Sequence, residues 1–281
     1  MLLDFFLRFP GGRAKALTFS YDDGVEEDAR LADIFNRNGL KGTFNLNGGL
    51  FRDEGNPWPE GTAVRRMTAR QALRTFGGTA HEIGFHGLTH AYWEQMPPMR
   101  VAQEILEDRR RLEGMFHTLV RGGAYPYGTW NAQTVETLRA CGAAYCRTTA
   151  STGGFDVPQD WLLLPPTCHH GDPRLEELTA RFLSDPAERR PLLFYLWGHS
   201  FEFEREGNWA LMERLAERLG GREDICYATN GELCDYVAAF RALRMSCDGR
   251  LVENPTSTDV WYACRGRTGC VPAGQRVELE G

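Results

Sequence analysis

Lys15-Ala16-Leu17-Thr18-Phe19-Ser20-Tyr21-Asp22-Asp23-Gly24 reads as a short, largely apolar strand that runs straight into two adjacent carboxylates and a glycine. Side chains alternate across a strand, so neighbouring aspartates at its end can play different roles. One can turn to a cation while the other faces a substrate. Two carboxylates this close repel, and a nearby cation or a bound proton relieves the repulsion. Asp-Gly is also an ordinary turn dipeptide. What the pair means therefore depends on what else falls at strand ends.

Working outward, strand-like and helix-like segments alternate. Residues 26–38 have helical spacing and close on Asn38-Gly39, and 41–46 is a second strand. Thr68-Ala69-Arg70-Gln71 is a capping box that opens a helix. A third strand covers 81–86, and 100–116 is a long amphipathic helix carrying Val101, Ile105, Leu106, Leu112, Met115 and Phe116. Further strands read at 119–125, 144–148, 191–197 and 225–228, with helices opened by Asn131, Asp172, Asn208 and Asn230. The run Pro191 to Trp197 has no polar position, as expected of a strand buried on both faces. Such alternation predicts parallel strands joined by crossover helices, as a barrel or a doubly wound sheet. From Met245 to Leu279, turn signals such as Asp248-Gly249 and Asn254-Pro255 separate short alternating runs, which predicts a small β meander packed on the main domain.

The 281 residues are enough for a core that needs no staples, and a net charge of -6 argues against a nucleic-acid partner. Arg109-Arg110-Arg111 lies in a charge-mixed helical stretch and reads as a solvated face. The 8 cysteines have no framework spacing, although Cys264 and Cys270 lie in an apparent hairpin and are placed to bridge. Met1 to Leu7 is short and interrupted by Asp4, so it reads as no signal peptide, and no run is long enough to span a membrane. A reducing cytoplasm is the expected compartment.

Three more strand ends carry chemistry. His86-Gly87-Leu88-Thr89-His90 sets two imidazoles four apart; on a helical turn both would face one ion, and with a carboxylate from another element they would make a facial ligand set with open positions. Tyr125-Pro126-Tyr127-Gly128 is a tight turn whose backbone N–H can point at an oxyanion. Trp197-Gly198-His199-Ser200 ends the most apolar strand on a histidine placed for acid work.

In this order and context, over about Leu17 to His199, the four segments resemble the polysaccharide deacetylases (carbohydrate esterase family 4). The family's Thr-Phe-Asp-Asp-Gly is matched by Thr18-Phe19-Ser20-Tyr21-Asp22-Asp23-Gly24 with two residues interposed. The resemblance implies Asp22 as catalytic base and Asp23, His86 and His90 as metal ligands. It further implies the Tyr127 N–H as oxyanion donor and His199 as acid. Gly87 replaces the hydroxyl residue of the histidine motif. Ala124 stands where the family's arginine orients the base; Arg147 is the candidate substitute and Arg121 the fallback. The family's Asp-x-x-Asp-Trp is only loosely echoed by Asp156 and Asp160-Trp161. His169 and His170 have no counterpart; adjacent histidines after a strand either line the mouth of the site or bind nothing.

The implied fold is an irregular α/β barrel, (β/α)-type, of about seven parallel strands, with catalytic residues 1–243 and a β appendage over 244–281. The implied activity is removal of acetyl groups from N- or O-acetylated carbohydrate by metal-activated water. Zinc suits the nitrogen-rich set best, with Co, Ni, Mn or Fe as alternatives. A metal-independent amidase acting on small ureides or imides with the same barrel is the enzymatic runner-up. A non-catalytic sugar-binding protein, using exposed-looking Trp58, Trp93, Trp130 and Trp161, is the other class. A serine hydrolase is disfavoured, since Gly198-His199-Ser200-Phe201-Glu202 lacks the closing glycine of a nucleophile elbow and no histidine follows Ser200.

Overall fold

A computed structural model describes residues 4–279. The stretch read against a leader begins with Met1 to Leu3, which lie outside the described residues. At the centre is β2 (Lys15–Asp22), preceded by β1 (Phe5–Arg8). Then come α1 (Asp28–Arg37), β3 (Gly42–Leu46), α2 (Ala69–Phe76), β4 (Glu82–Phe85), α3 (Pro98–Phe116), β5 (Gly122–Ala124), α4 (Ala132–Ala140) and β6 (Tyr145–Arg147). The second half adds β7 (Cys168–His169), α5 (Leu175–Ser184), β8 (Leu192–Gly198), α6 (Phe201–Glu206), α7 (Trp209–Leu219), β9 (Ile225–Tyr227) and α8 (Asn230–Arg241).

Strands pair in the order β6-β5-β4-β3-β2-β8-β7, all parallel, and make a curled half-barrel with helices outside. One edge of β2 meets β8 along Lys15 to Tyr21. Its other edge is shared, by β9 at Lys15 to Leu17 and by β3 from Phe19 to Asp22. Alternation on β2 divides the molecule. Leu17, Phe19 and Tyr21 join the large apolar core with Phe35, Phe44 and Leu196. Thr18, Ser20 and Asp22 turn the other way into a polar interior, where Asn45 donates to Ser20 Oγ at 2.8 Å and to Asp22 Oδ1 at 2.7 Å. The expected apolar strand over 191–197 is indeed buried at nearly every position.

The tail forms β10 (Arg244–Met245), β11 (Leu251–Glu253), β12 (Val260–Cys264), β13 (Arg267–Val271) and β14 (Arg276–Glu278). These make two three-stranded antiparallel sheets, one of which takes in β1 from the opposite end of the sequence as the partner of β12. Cys264 and Cys270 face Arg267 and Trp261 across the β12–β13 hairpin, and both are free thiols. The capping boxes at Thr68 and Asn131 are present. The cap expected at Asn230 falls one residue earlier: Thr229 caps α8, while Asn230 turns inward to Thr18 Oγ1 and Tyr195. Short β1, β7 and α6 had no periodic signal of their own.

Candidate metal centre and active site

Every chemistry-bearing segment singled out in the sequence lies at the C-terminal end of a half-barrel strand, where loops leave polar groups free to converge. Asp22 is the last residue of β2 and faces the polar interior. Asp23 follows with φ 84, a left-handed backbone uncommon for a residue with a side chain. That twist undoes the alternation, so both carboxylates reach the same mouth: His86 Nε2 is 3.9 Å from Asp22 Oδ2 and 4.0 Å from Asp23 Oδ1. Gly24 continues at φ +63, where a side chain would be strained and its β-carbon would crowd Leu46 Cδ2 at 3.0 Å.

His86 and His90 do meet, but not on a helical turn. Gly87 has φ +78 and His90 φ 54, and the loop bends back so that the two Nε2 atoms stand 3.2 Å apart. His90 Nε2 is 3.5 Å from Asp23 Oδ1, and these three ligand atoms lie within 4.8 Å of one another. His86 Nδ1 donates to the Ala124 carbonyl at 2.9 Å, which fixes the tautomer and leaves Nε2 with a lone pair facing the gap. Burial drives His86 below its ordinary pKa, and His90 down to about 4, so both rings are neutral near pH 7. Two neutral imidazole nitrogens converging beside a carboxylate, one of them with its lone pair fixed toward the gap, are a donor set that fits a divalent cation.

The loop is held without a hydroxyl at position 87. Asn47 donates to the His86 and Gly87 carbonyls at 2.7 Å, and Asp108 accepts the His86 N–H at 3.1 Å. Thr89 donates its N–H and its hydroxyl to Glu104, at 2.9 Å and 2.8 Å.

Arg147, at the end of β6, is fully buried; it ion-pairs with Asp22 Oδ2 and lies over the Trp197 ring at 4.4 Å. Burial would raise Asp22, but Arg147, with His199 adding to it, outweighs burial and holds the carboxyl at about 2. Arg121 is outside, paired with Asp235. Asp23 is likewise opposed by burial yet lies below its ordinary value, through His86 and Arg66. Since the imidazoles are themselves neutral, the permanent charge there is that of Arg66, whose Nη2 donates to Asp23 Oδ1 at 3.0 Å.

Tyr127 has φ 58 and ψ 3 in the turn after β5; its ring stacks on Tyr92 at 3.7 Å and meets the edge of His90 at 4.3 Å. His199 Nε2 is 4.0 Å from Asp22 Oδ2. Its other nitrogen, Nδ1, is 3.6 Å from Glu202 Oε1, on α6. Asp156 and Asp160 are elsewhere, one paired with Arg190 and the other capping Leu162 N–H. Motif reading missed two residues of this cluster, Glu202 and Arg66; for Glu202 the available signal was its i+3 spacing from His199, which mattered once residues 201–206 proved helical, and for Arg66 there was none.

Glu202 also accepts from His169 Nε2 at 3.0 Å and His170 Nε2 at 3.2 Å. This second His-His-Glu group is a hydrogen-bonded hub rather than a cation site. His169 Nδ1 accepts the Gly171 N–H at 3.0 Å, so the ring proton sits on Nε2 and no lone pair remains there. Burial lowers His170 to about 3, so it too is a neutral donor. Burial would raise Glu202 and lower His199; hydrogen bonds from His169 and His199 hold Glu202 down instead, and Glu202 with Asp22 holds His199 up, leaving a carboxylate beside a histidine raised above its usual pKa. Of the four tryptophans read as exposed, Trp93 is fully buried, Trp58 and Trp161 are half-buried, and Trp130 is 44% exposed.

Fold and site together define a half-barrel protein whose strand ends join an Asp-His-His donor set to a buried, ionised carboxylate. The family model for polysaccharide deacetylase matches residues 10–146, just under half of the chain, and over that stretch the chain is similar to that family. No curated protein matches. Among solved structures, a Mycobacterium smegmatis protein assigned by name to the polysaccharide deacetylases superposes with a TM-score of 0.59 at 16% identity, covering 84% of this chain and 94% of that one. A Puue allantoinase gives 0.58 at 14% identity over 81% and 91%. A family 4 carbohydrate esterase from Streptomyces lividans, in complex with acetate, gives 0.49 at 16% identity over 76% and 92%.

Proposed function

We propose that this protein is a metal-dependent hydrolase that removes acetyl groups from N- or O-acetylated carbohydrate. The observation that carries the reading is the convergence of Asp23 Oδ1, His86 Nε2 and His90 Nε2 within 4.8 Å, next to an Asp22 that Arg147 keeps ionised. These three residues would hold the metal, zinc by donor type, with Co, Ni, Mn or Fe as alternatives. When bound, such an ion supplies Lewis acidity to an acyl carbonyl and acidifies water.

The chain supplies the rest. Asp22 accepts the water proton, and Arg147 keeps it deprotonated and aimed. The Tyr127 N–H, on its left-handed turn, is offered to the carbonyl oxygen as negative charge builds there. His199, charged and steadied by Glu202, gives a proton to the departing amine or alkoxide. The eight cysteines, all free, fit a reducing cytoplasm. No helix among the described residues is long and apolar enough to cross a membrane.

Acetate release from N-acetylated sugars, assayed with zinc or cobalt and again after chelation, tests the reading. Asp22→Asn should retain the metal and lose at least about 100-fold in kcat. A variant as fast as the parent would remove Asp22 as base. A second reading, a metal-independent amidase on small ureides, draws support from Arg66, whose guanidinium already supplies positive charge at Asp23. Turnover of a ureide undiminished in chelator would favour it.

A further inference from the structure

Arg66 reaches Asp23 from a distant segment of the chain. Its Nη2 donates to Asp23 Oδ1 at 3.0 Å, while Nη1 donates to the Asp23 carbonyl and, at 2.5 Å, to Asn47 Oδ1. The oxygen it holds, Oδ1, is the one that lies 3.5 Å from His90 Nε2 and 4.0 Å from His86 Nε2. The backbone fixes the arginine in place. Arg66 bridges antiparallel to Val25, the Glu26 N–H donates to the Arg65 carbonyl at 2.8 Å, and the Met67 N–H donates to the Gly24 carbonyl at 2.8 Å. Asn47 is 2% exposed and tied to the His86 and Gly87 carbonyls, so one frame carries the guanidinium and both imidazoles. Only 17% of the Arg66 side chain is exposed.

An anionic ligand serves a divalent cation best when its charge is not already committed. A guanidinium at hydrogen-bond distance takes up part of that charge and repels an incoming cation across a poorly screened gap. We propose that Arg66 is the built-in counter-cation of Asp23 and sets the metal affinity of this site, making it a weak, exchangeable centre whose occupancy follows the metal available. Arg66 likewise holds Asp23 in its left-handed conformation when no metal is present, because it binds the carbonyl as well as the carboxylate. The inference rests on the metal-dependent reading above.

Cobalt(II) titration of the metal-stripped full chain, followed by the visible absorption of the bound ion, tests it without recourse to activity. Arg66→Met should bind cobalt at least about tenfold more tightly than the parent, since the repelling charge is gone. Arg66→Gln, which can still donate to Asn47 and to the Asp23 carbonyl, should do the same and decides the matter if the Met variant fails to fold by circular dichroism. Arg66→Lys keeps the charge and should stay within about threefold of the parent. Parental affinity in the Met and Gln variants overturns the proposal, and equal tightening in all three, Lys included, overturns its charge basis. If neither the parent nor any variant takes up cobalt, the metal-dependent reading itself falls, and this inference with it.

Discussion

Asp22 and Asp23 are adjacent in the chain and share one mouth, yet their counter-ions come from different places. Arg147, at a neighbouring strand end, neutralises the first, and Arg66, on the loop before α2, neutralises the second. Adjacency made the pair conspicuous in the sequence; which carboxylate meets which cation depends on the left-handed twist at Asp23, which no spacing rule encodes. His199 gives the matching case for an acid. Its raised pKa owes much to Glu202, so Glu202→Gln should move the basic limb of the pH–kcat profile to lower pH, as the histidine would lose its proton sooner. Near-parental KM with a displaced limb is the expected pattern. An unmoved limb would leave Glu202 with a purely structural part, holding His169 and His170.

At the scale of elements, the short helix α2 matters beyond its own stability. Its capping box joins Thr68 and Gln71 in both directions, at 3.2 Å and 2.7 Å, and Thr68 follows directly on the segment that carries Arg66. Thr68→Ala should cost about 0.5–2 kcal/mol in denaturant unfolding, a cap being worth that much. This cap was legible because two nearby side chains in a fixed pattern specify it. The loop after β4 was not. His-x3-His suggested a helical turn, and the bent loop found instead is imposed by Asn47, Asp108 and Glu104, all from other elements. The helix α6 escaped notice because its 6 residues are too few to show a period, though it delivers Glu202.

The whole molecule carries a buried proton whose cost depends on pH. Asp28, fully buried between Ser200 Oγ and the Val25 N–H, is pushed by burial from 3.8 to about 8. A folded-state pKa above the unfolded one gives stability that is fully present below the unfolded value and is lost as pH rises through the folded value. Asp28→Asn should therefore gain on the parent between pH 4 and pH 8, read as the difference between their unfolding free energies at each pH. A difference independent of pH would mean that Asp28 is ionised in the folded protein. We propose a division of the chain into a catalytic 1–243 and an appendage 244–281, with the qualification in the fold itself that β1 pairs with β12 and so staples the two. The alternating strands and helices, their parallel pairing and the polar residues closing the strands were determined by the sequence alone, because periodicity and strand-end chemistry are local properties, whereas closure into a half-barrel was not. Only the tertiary structure decided that Arg147 and Arg66 stand beside the two aspartates, that Glu202 rather than Asp156 or Asp160 meets His199, and that β1 belongs with the tail. Arg147, Arg66 and β1 come from far along the chain, and Glu202, three residues from His199, meets it only because a helix too short to show a period forms there, so local sequence does not encode these encounters.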